Sequence, residues 1–422
     1  MLEILRVLLA GIDNAYPLMK SPMPMYSFCL SLALCPLVWW WFNQNTFGEK
    51  HPRKYFWLSF LFVILLQWVF QLLPERSTGS MVQHEMANSF YTVAQKYPLR
   101  DYLANYSAVR RTLPLHATSN MPGKAMLYYG LGLFGDHPRL FAALILLLSN
   151  LGGVFIYSIS MRLFQNRNAA FASAVLYWLC PAKIYFFPLL NIVSPTILLG
   201  SLYCMLRAVE SGAWRWIILV GLSFFVLFMF EPLPLVCGLF HIWILGAAWI
   251  RKKLTSLQIV RVGLGALLFF SLSIQLFGVA TGFWSIPRFL ELVAVNAHYY
   301  SGYRSIDWFF RNFFDFSIGL GYASLLVLLY GSFTLRLADT VAFRNAKGYA
   351  ITFAATLLIL NASGVNREEI PRLWIFMLAM LYPLVGFYLV KMSKRHLLPY
   401  VAAAHSLQTA IALHYIGYVW WP

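Results

Sequence analysis

An all-α protein that crosses a membrane many times is the fold class this sequence predicts, and three observations predict it. The chain is 60% hydrophobic and only 11% charged over 422 residues, a balance unlike that of soluble globular domains. Apolar runs approaching the roughly 20 residues that cross a bilayer recur from end to end. Between them the basic residues fall in short clusters, as in the cytoplasmic loops of membrane proteins.

At the N-terminus, Leu2, Leu5, Leu8 and Leu9 recur at helical spacing while Glu3, Arg6 and Asp13 interrupt the apolar pattern. That favours an interfacial amphipathic helix within residues 1–22 over a cleaved signal peptide. Candidate spans follow at 24–42, 55–73, 139–163, 169–187, 188–207, 216–233, 234–250, 261–280, 317–335, 349–364, 372–390 and 397–416. The expectation is a single transmembrane domain over 1–422, a bundle of about 12 helices. The divisions near Pro181-Ala-Lys183 and Glu231-Pro-Leu-Pro234 read as tight outer turns between paired helices.

Lysine and arginine bias sets the orientation. Lys50, Arg53 and Lys54, then Arg162 and Arg167, then Arg207 and Arg215 mark one face, continued by Arg251, Lys252, Lys253 and Arg261. Arg336, Arg344 and Lys347, with Lys391, Lys394 and Arg395, complete it. With this face cytoplasmic, residues 74–139, 281–316 and 361–372 form extracytoplasmic loops. The net charge of +17 is scattered and not drawn into a stripe, which argues against nucleic acid as a partner. The five cysteines lie in apolar runs without CxxC spacing. They suggest packing and indicate neither a disulfide framework nor a metal site.

The long polar interval 74–139 carries most of the candidate chemistry. Its aromatics Phe90, Tyr91, Tyr97, Tyr102 and Tyr106 argue for a docked loop with juxtamembrane helices, the expected active-site loop of a membrane enzyme. Glu85, just after the second span, is the candidate general base, since a partly buried carboxylate takes a proton from an attacking hydroxyl. The alternative is an ordinary helix-surface glutamate. Asp101 is the second candidate base, or else sits at the first turn of a short helix.

Arg110, Arg111 and Lys124 suit phosphate, or simply anionic lipid headgroups. His84 and His116 are candidate substrate contacts, and His116 and Lys124 flank the Pro122-Gly123 turn. No second ligand stands at metal spacing from His116, so no metal site or other cofactor is indicated. Glu368 and Glu369 are further candidate substrate contacts, the alternative being that with Pro371 they simply suit a helix N-terminus. Arg372, at the membrane boundary, needs a phosphate or a loop carboxylate. Asn296, His298 and Arg304 lie among aromatics that read either as a carbohydrate groove or as an interfacial belt.

Three patches resemble the GT-C glycosyltransferases, polytopic enzymes that use polyprenyl-phosphate-linked sugars. They are Glu85 in the first large loop, the turn Leu113-Pro-Leu-His116-Ala-Thr-Ser-Asn-Met-Pro122-Gly123, and Asn366-Arg-Glu-Glu-Ile-Pro-Arg372-Leu-Trp-Ile-Phe. The sequence departs from the family at His84-Glu85, where a paired Asp-Glu is usual, at Asn120-Met121-Pro122, where His-Pro-Pro is usual, and at Arg367, where glycine is. The resemblance implies a GT-C bundle in a bacterial plasma membrane with its active site on the extracytoplasmic side. It implies transfer of a sugar, with inversion, from a polyprenyl-phosphate donor to a glycan, lipid or protein acceptor. Glu85 would be the base, Arg372 with Arg110, Arg111 or Lys124 would hold phosphate, and His116 would orient it. A multi-spanning transporter or flippase for a lipid-linked or anionic substrate is the alternative, and it calls for charged groups near mid-membrane or a repeat symmetry.

Overall fold

The helix Ile375–Lys391 is apolar on every side and buried along nearly its whole length, the signature of a helix at the centre of a bundle. In the computed structural model, which describes residues 2–11, 25–44, 49–72, 78–299, 305–334, 340–366, 369–392 and 397–417, the other helices assemble around it. Arg167–Trp178 packs most closely against it, and Pro138–Phe164 packs against Arg167–Trp178 and Ser194–Ser211. A second row runs outward from Ser194–Ser211 through Trp214–Phe230 to Ser256–Thr281. Gly386 makes the central contact possible: a Cβ there would stand 2.6 Å from the Ala169 carbonyl oxygen. Small residues at such crossings let helix backbones approach closely within a membrane.

The described residues contain six helical segments long and apolar enough to cross a bilayer: Met25–Phe42, Pro52–Gln71, Pro138–Phe164, Leu190–Ser211, Leu233–Ile250 and Ser256–Thr281. A seventh counts if the pair Ile306–Leu320 and Tyr322–Phe333, bent by 107°, is one span. The dozen expected from hydropathy is therefore reached only if shorter or more polar helices cross as well. Trp214–Phe230 and Ile375–Lys391 have 17 residues each. The expected span 169–187 is broken into Arg167–Trp178 and Pro181–Tyr185. Proline lacks the N–H that would continue the helix, and the residue before it is steered out of the helical region.

That break is held by side chains from other helices. Gln67 donates to the Trp178 carbonyl and Gln71 to the Ile184 carbonyl at 2.7 Å. The Lys183 ammonium donates to Gln67 Oε1 at 3.2 Å and Asn150 Oδ1 at 2.9 Å. The two amides bond to each other, and the Tyr177 ring lies 5.4 Å from the ammonium. Freed backbone groups and a buried cation are thus satisfied inside the bundle, as an apolar surrounding demands.

The N-terminal helix spans Leu2–Ala10 and packs against Ser305–Leu320 and Leu397–Tyr415; the rest of the 1–22 expectation lies outside the described residues. Residues 78–132 form a run of short helices: Thr78–Gln83, Glu85–Lys96, Leu99–Ala104, Tyr106–Arg110, Leu115–Thr118 and Gly123–Gly132. Phe90, Tyr91, Tyr102 and Tyr106 are buried, so their aromatic spacing corresponds to docking.

The amide cluster gives a stability prediction. Gln67→Leu removes an acceptor from Lys183 and a donor from the Trp178 carbonyl, and should cost about 2–3 kcal/mol. Thermal unfolding in detergent should show a lowered midpoint. The double variant Gln67→Leu/Lys183→Met should recover part of the loss, because no buried cation is then left short of partners.

Candidate functional site

Lys124 is the second residue of the Gly123–Gly132 helix, and its side chain is almost fully buried. The helix approaches the end of Trp214–Phe230 at Gly123, where a Cβ would lie 2.5 Å from the Met229 backbone. Glycine is therefore the residue that lets the two elements meet. The meeting brings the Lys124 ammonium to 3.4 Å from Oε1 of Glu231. The rings of Phe90 and Phe230 lie 5.6 and 5.9 Å from the same nitrogen, within cation–π range.

Glu231 is buried and follows the last turn of its helix with extended backbone. Its carboxylate accepts a hydrogen bond of 2.8 Å from Asn191 Nδ2 and another from the Ser194 hydroxyl. Both donors come from the short 3-10 turn and the helix start after the break at Pro181. Arg372 is buried in the four-residue helix Ile370–Leu373 and pairs with Glu369. Glu369 takes a left-handed backbone conformation (φ 55°), rare for a residue with a side chain and typical of tightly constrained sites. Its carbonyl caps this turn by accepting from the Arg372 and Leu373 amides.

Electrostatics ties these groups into one cluster. Burial pushes the His116 imidazole down to about 3, and the charges of Arg372 and Lys124 act in the same direction. His116 is consequently neutral at physiological pH, able to donate from one ring nitrogen and accept at the other. Burial also lowers the Lys124 ammonium; Glu231 opposes that shift and Arg372 adds to it. Two cations, two carboxylates and a neutral imidazole therefore share a poorly hydrated region where a phosphate group would interact strongly.

Of the residues singled out by sequence, the structure brings Lys124, His116, Arg372 and Glu369 together. Others lie outside this buried cluster. Arg110 is buried, sits 3.6 Å from Glu291 and donates to the Thr118 carbonyl. Its guanidinium docks the Tyr106–Arg110 helix on Ser285–Tyr299. Arg111 and Asp101 are exposed, Asp101 in the first turn of Leu99–Ala104. Glu85 is also exposed, so the burial expected to tune it is absent; it opens an amphipathic helix whose Asn88, Ser89 and Phe90 point inward.

His84 caps that helix by accepting from the Ala87 amide at 3.3 Å. Asn296 is partly exposed and His298 exposed near the end of Ser285–Tyr299. Arg304 and Glu368 lie outside the described residues. Glu231 is the residue that sequence reading placed at an outer turn and gave no part in the chemistry. The available signal was a carboxylate placed directly against a 17-residue apolar helix, a costly position unless it is paired. Among the described residues no group of three or more His, Cys, Asp or Glu could hold a metal ion.

Two predictions follow from this geometry. Gly123→Ala should push the helix off Met229, costing about 1–3 kcal/mol and separating Lys124 from Glu231. Thermal unfolding would report the first effect and loss of ligand binding the second. For His116, the folded form holds the proton far less well than the unfolded chain, whose value is near the ordinary 6.5. Its contribution to stability is complete above that value and is lost as pH falls toward about 3. The unfolding midpoint of His116→Asn should therefore drop less than that of the wild type across this window.

A family profile described as dolichyl-phosphate-mannose-protein mannosyltransferase matches residues 123–274. No curated protein matches the chain. The matched segment begins at Gly123 and contains Lys124, Asn191, Ser194 and Glu231, four of the groups that build the buried cluster. Over residues 123–274 this match supports a likeness to the GT-C superfamily of membrane glycosyltransferases.

Proposed function

We propose that the Lys124–Arg372–His116 cluster holds the phosphate of a polyprenyl-phosphate-linked sugar, and that the protein transfers this sugar to a glycan, lipid or protein acceptor outside the cytoplasm. The observation that carries the reading is Lys124. It is a buried ammonium whose one ion-pair contact among the described residues is a long 3.4 Å approach to Glu231, with Arg372 and His116 close enough to affect its cluster electrostatically. A dianionic phosphate would supply the short charge-assisted bonds that this contact lacks. The match to a family whose description names a dolichyl-phosphate-mannose donor supports the same donor class.

In the proposed step the acceptor hydroxyl oxygen attacks the anomeric carbon. Its bond forms as the bond from carbon to the carrier phosphate oxygen breaks, with inversion. The acceptor's proton goes to Glu85, and the phosphate leaves with the bonding electron pair, stabilised by Lys124 and Arg372. Glu85 is exposed, so it meets an acceptor arriving from the aqueous side, and Asp101 is the second candidate for this role. His116, neutral, orients a phosphate or sugar oxygen. In the proposed topology about twelve helices cross, with residues 74–139 on the extracytoplasmic face of a bacterial plasma membrane.

The test uses purified protein in lipid nanodiscs with a panel of labelled polyprenyl-phosphate sugars, following release of free polyprenyl phosphate. Lys124→Met should weaken donor binding by about tenfold or more. Glu85→Gln should keep donor binding and lower turnover by about two orders of magnitude. Normal turnover by Glu85→Gln would move the base to Asp101. A wild type that carries labelled donor across the bilayer without releasing carrier phosphate would establish the transporter reading instead.

A further inference from the structure

The transfer step above gives Glu231 no task, yet its carboxylate is buried and held by two hydrogen bonds from neutral donors. Asn191 and Ser194 donate to its Oε1 and Oε2 respectively, and the Lys124 ammonium stands 3.4 Å from the same Oε1. We propose that Glu231 is a positioning residue that keeps the Lys124 ammonium charged while the site is empty, and that the carrier phosphate replaces it as the partner of Lys124 when donor binds. This rests on the reading of Lys124 as a donor-phosphate ligand.

The geometry separates the two jobs. The carboxylate's bond to Asn191 is 2.8 Å, whereas its approach to the ammonium is 3.4 Å. A fully formed ammonium–carboxylate hydrogen bond is nearer 2.7–2.9 Å in general. Glu231 is thus fixed by its neutral partners and acts on Lys124 mainly through charge. A lysine so held is free to turn its donors to another acceptor, while the carboxylate stays in place.

Every element around the ammonium bears on its charge. The Glu85–Lys96 helix presents the Phe90 ring toward it, with the charged ends Glu85 and Lys96 exposed. Leu115–Thr118 brings neutral His116, and Ile370–Leu373 brings Arg372 with its partner Glu369. Trp214–Phe230 contributes the Phe230 ring, followed directly by Glu231. Burial and Arg372 disfavour the charged lysine; Glu231 favours it. Without that carboxylate, burial and the Arg372 charge would both disfavour the ammonium with nothing charged to oppose them.

Glu231→Gln keeps the side-chain shape and its acceptor oxygen but removes the charge. The first measurement follows acylation of Lys124 by a small amine-reactive reagent across pH, read by mass spectrometry of its peptide. The titration midpoint should fall by about one pH unit or more in Glu231→Gln, and Glu231→Asp should restore part of it. Equal midpoints in wild type and Glu231→Gln would overturn the proposal.

The second measurement is binding of farnesyl phosphate across pH. Glu231→Gln should lose binding at a lower pH than wild type. In a Lys124→Arg background the same substitution should leave the pH dependence unchanged, because guanidinium stays charged throughout. A midpoint that falls in Glu231→Gln while the wild type binds no farnesyl phosphate would overturn the exchange of partners and the donor-phosphate reading, leaving the effect of Glu231 on the Lys124 charge established.

Discussion

The burial of one ammonium, Lys124, against one carboxylate, Glu231, is the interaction on which the site depends. A lysine this deep in an apolar fold is stable as a cation only with a compensating charge and compensating hydrogen bonds. Glu231 supplies the charge, and Asn191 with Ser194 satisfies Glu231 in turn. Those two donors stand where they do because the chain is broken after Trp178 and resumes as a helix at Ser194. An uninterrupted helix through this stretch would place other residues opposite Glu231. The irregular backbone between the two helices is therefore a requirement of the site, tolerated at depth because Gln67 and Gln71 take up its carbonyls.

Two buried lysines in the same bundle illustrate opposite solutions. Lys183 is enclosed by two amide oxygens and an aromatic face, with bonds of 2.9 and 3.2 Å. Its partners are mutually bonded and nothing in the arrangement calls for a further ligand; the result is a rigid joint between four elements. Lys124 has a longer contact and a like charge nearby. Incomplete satisfaction is expensive in an apolar setting, and the proposed phosphate would offset that expense.

Around the site, charge is also used to fasten the surface helices. Glu291 accepts from Ser107 at 2.8 Å and from Arg288 at 2.6 Å, with Arg110 at 3.6 Å. The ring of Tyr106 meets Phe283 edge-on at 5.0 Å. Together these contacts seat Tyr106–Arg110 on Ser285–Tyr299. Arg110 is thereby engaged with a carboxylate of its own, which leaves Lys124 and Arg372 as the cations of the buried cluster.

The sequence by itself determined the helical membrane class, through apolar runs whose length follows from bilayer thickness. It also singled out Lys124, His116 and Arg372 as candidates, since a charge beside an apolar run needs a partner wherever the chain goes. It ran expected spans straight through breaks, at Pro181 within 169–187 and at Gly321 within 317–335, since hydropathy averages across a break in the backbone. Only the tertiary structure decided the partners. Glu231 is 107 positions from Lys124 by their residue numbers, and no periodicity links residues that meet through a glycine contact between two helices. For the same reason Arg110 and Lys124, equal as basic residues of one polar interval, part company in space: one faces Glu291 at the surface helices and the other Glu231 in the buried cluster.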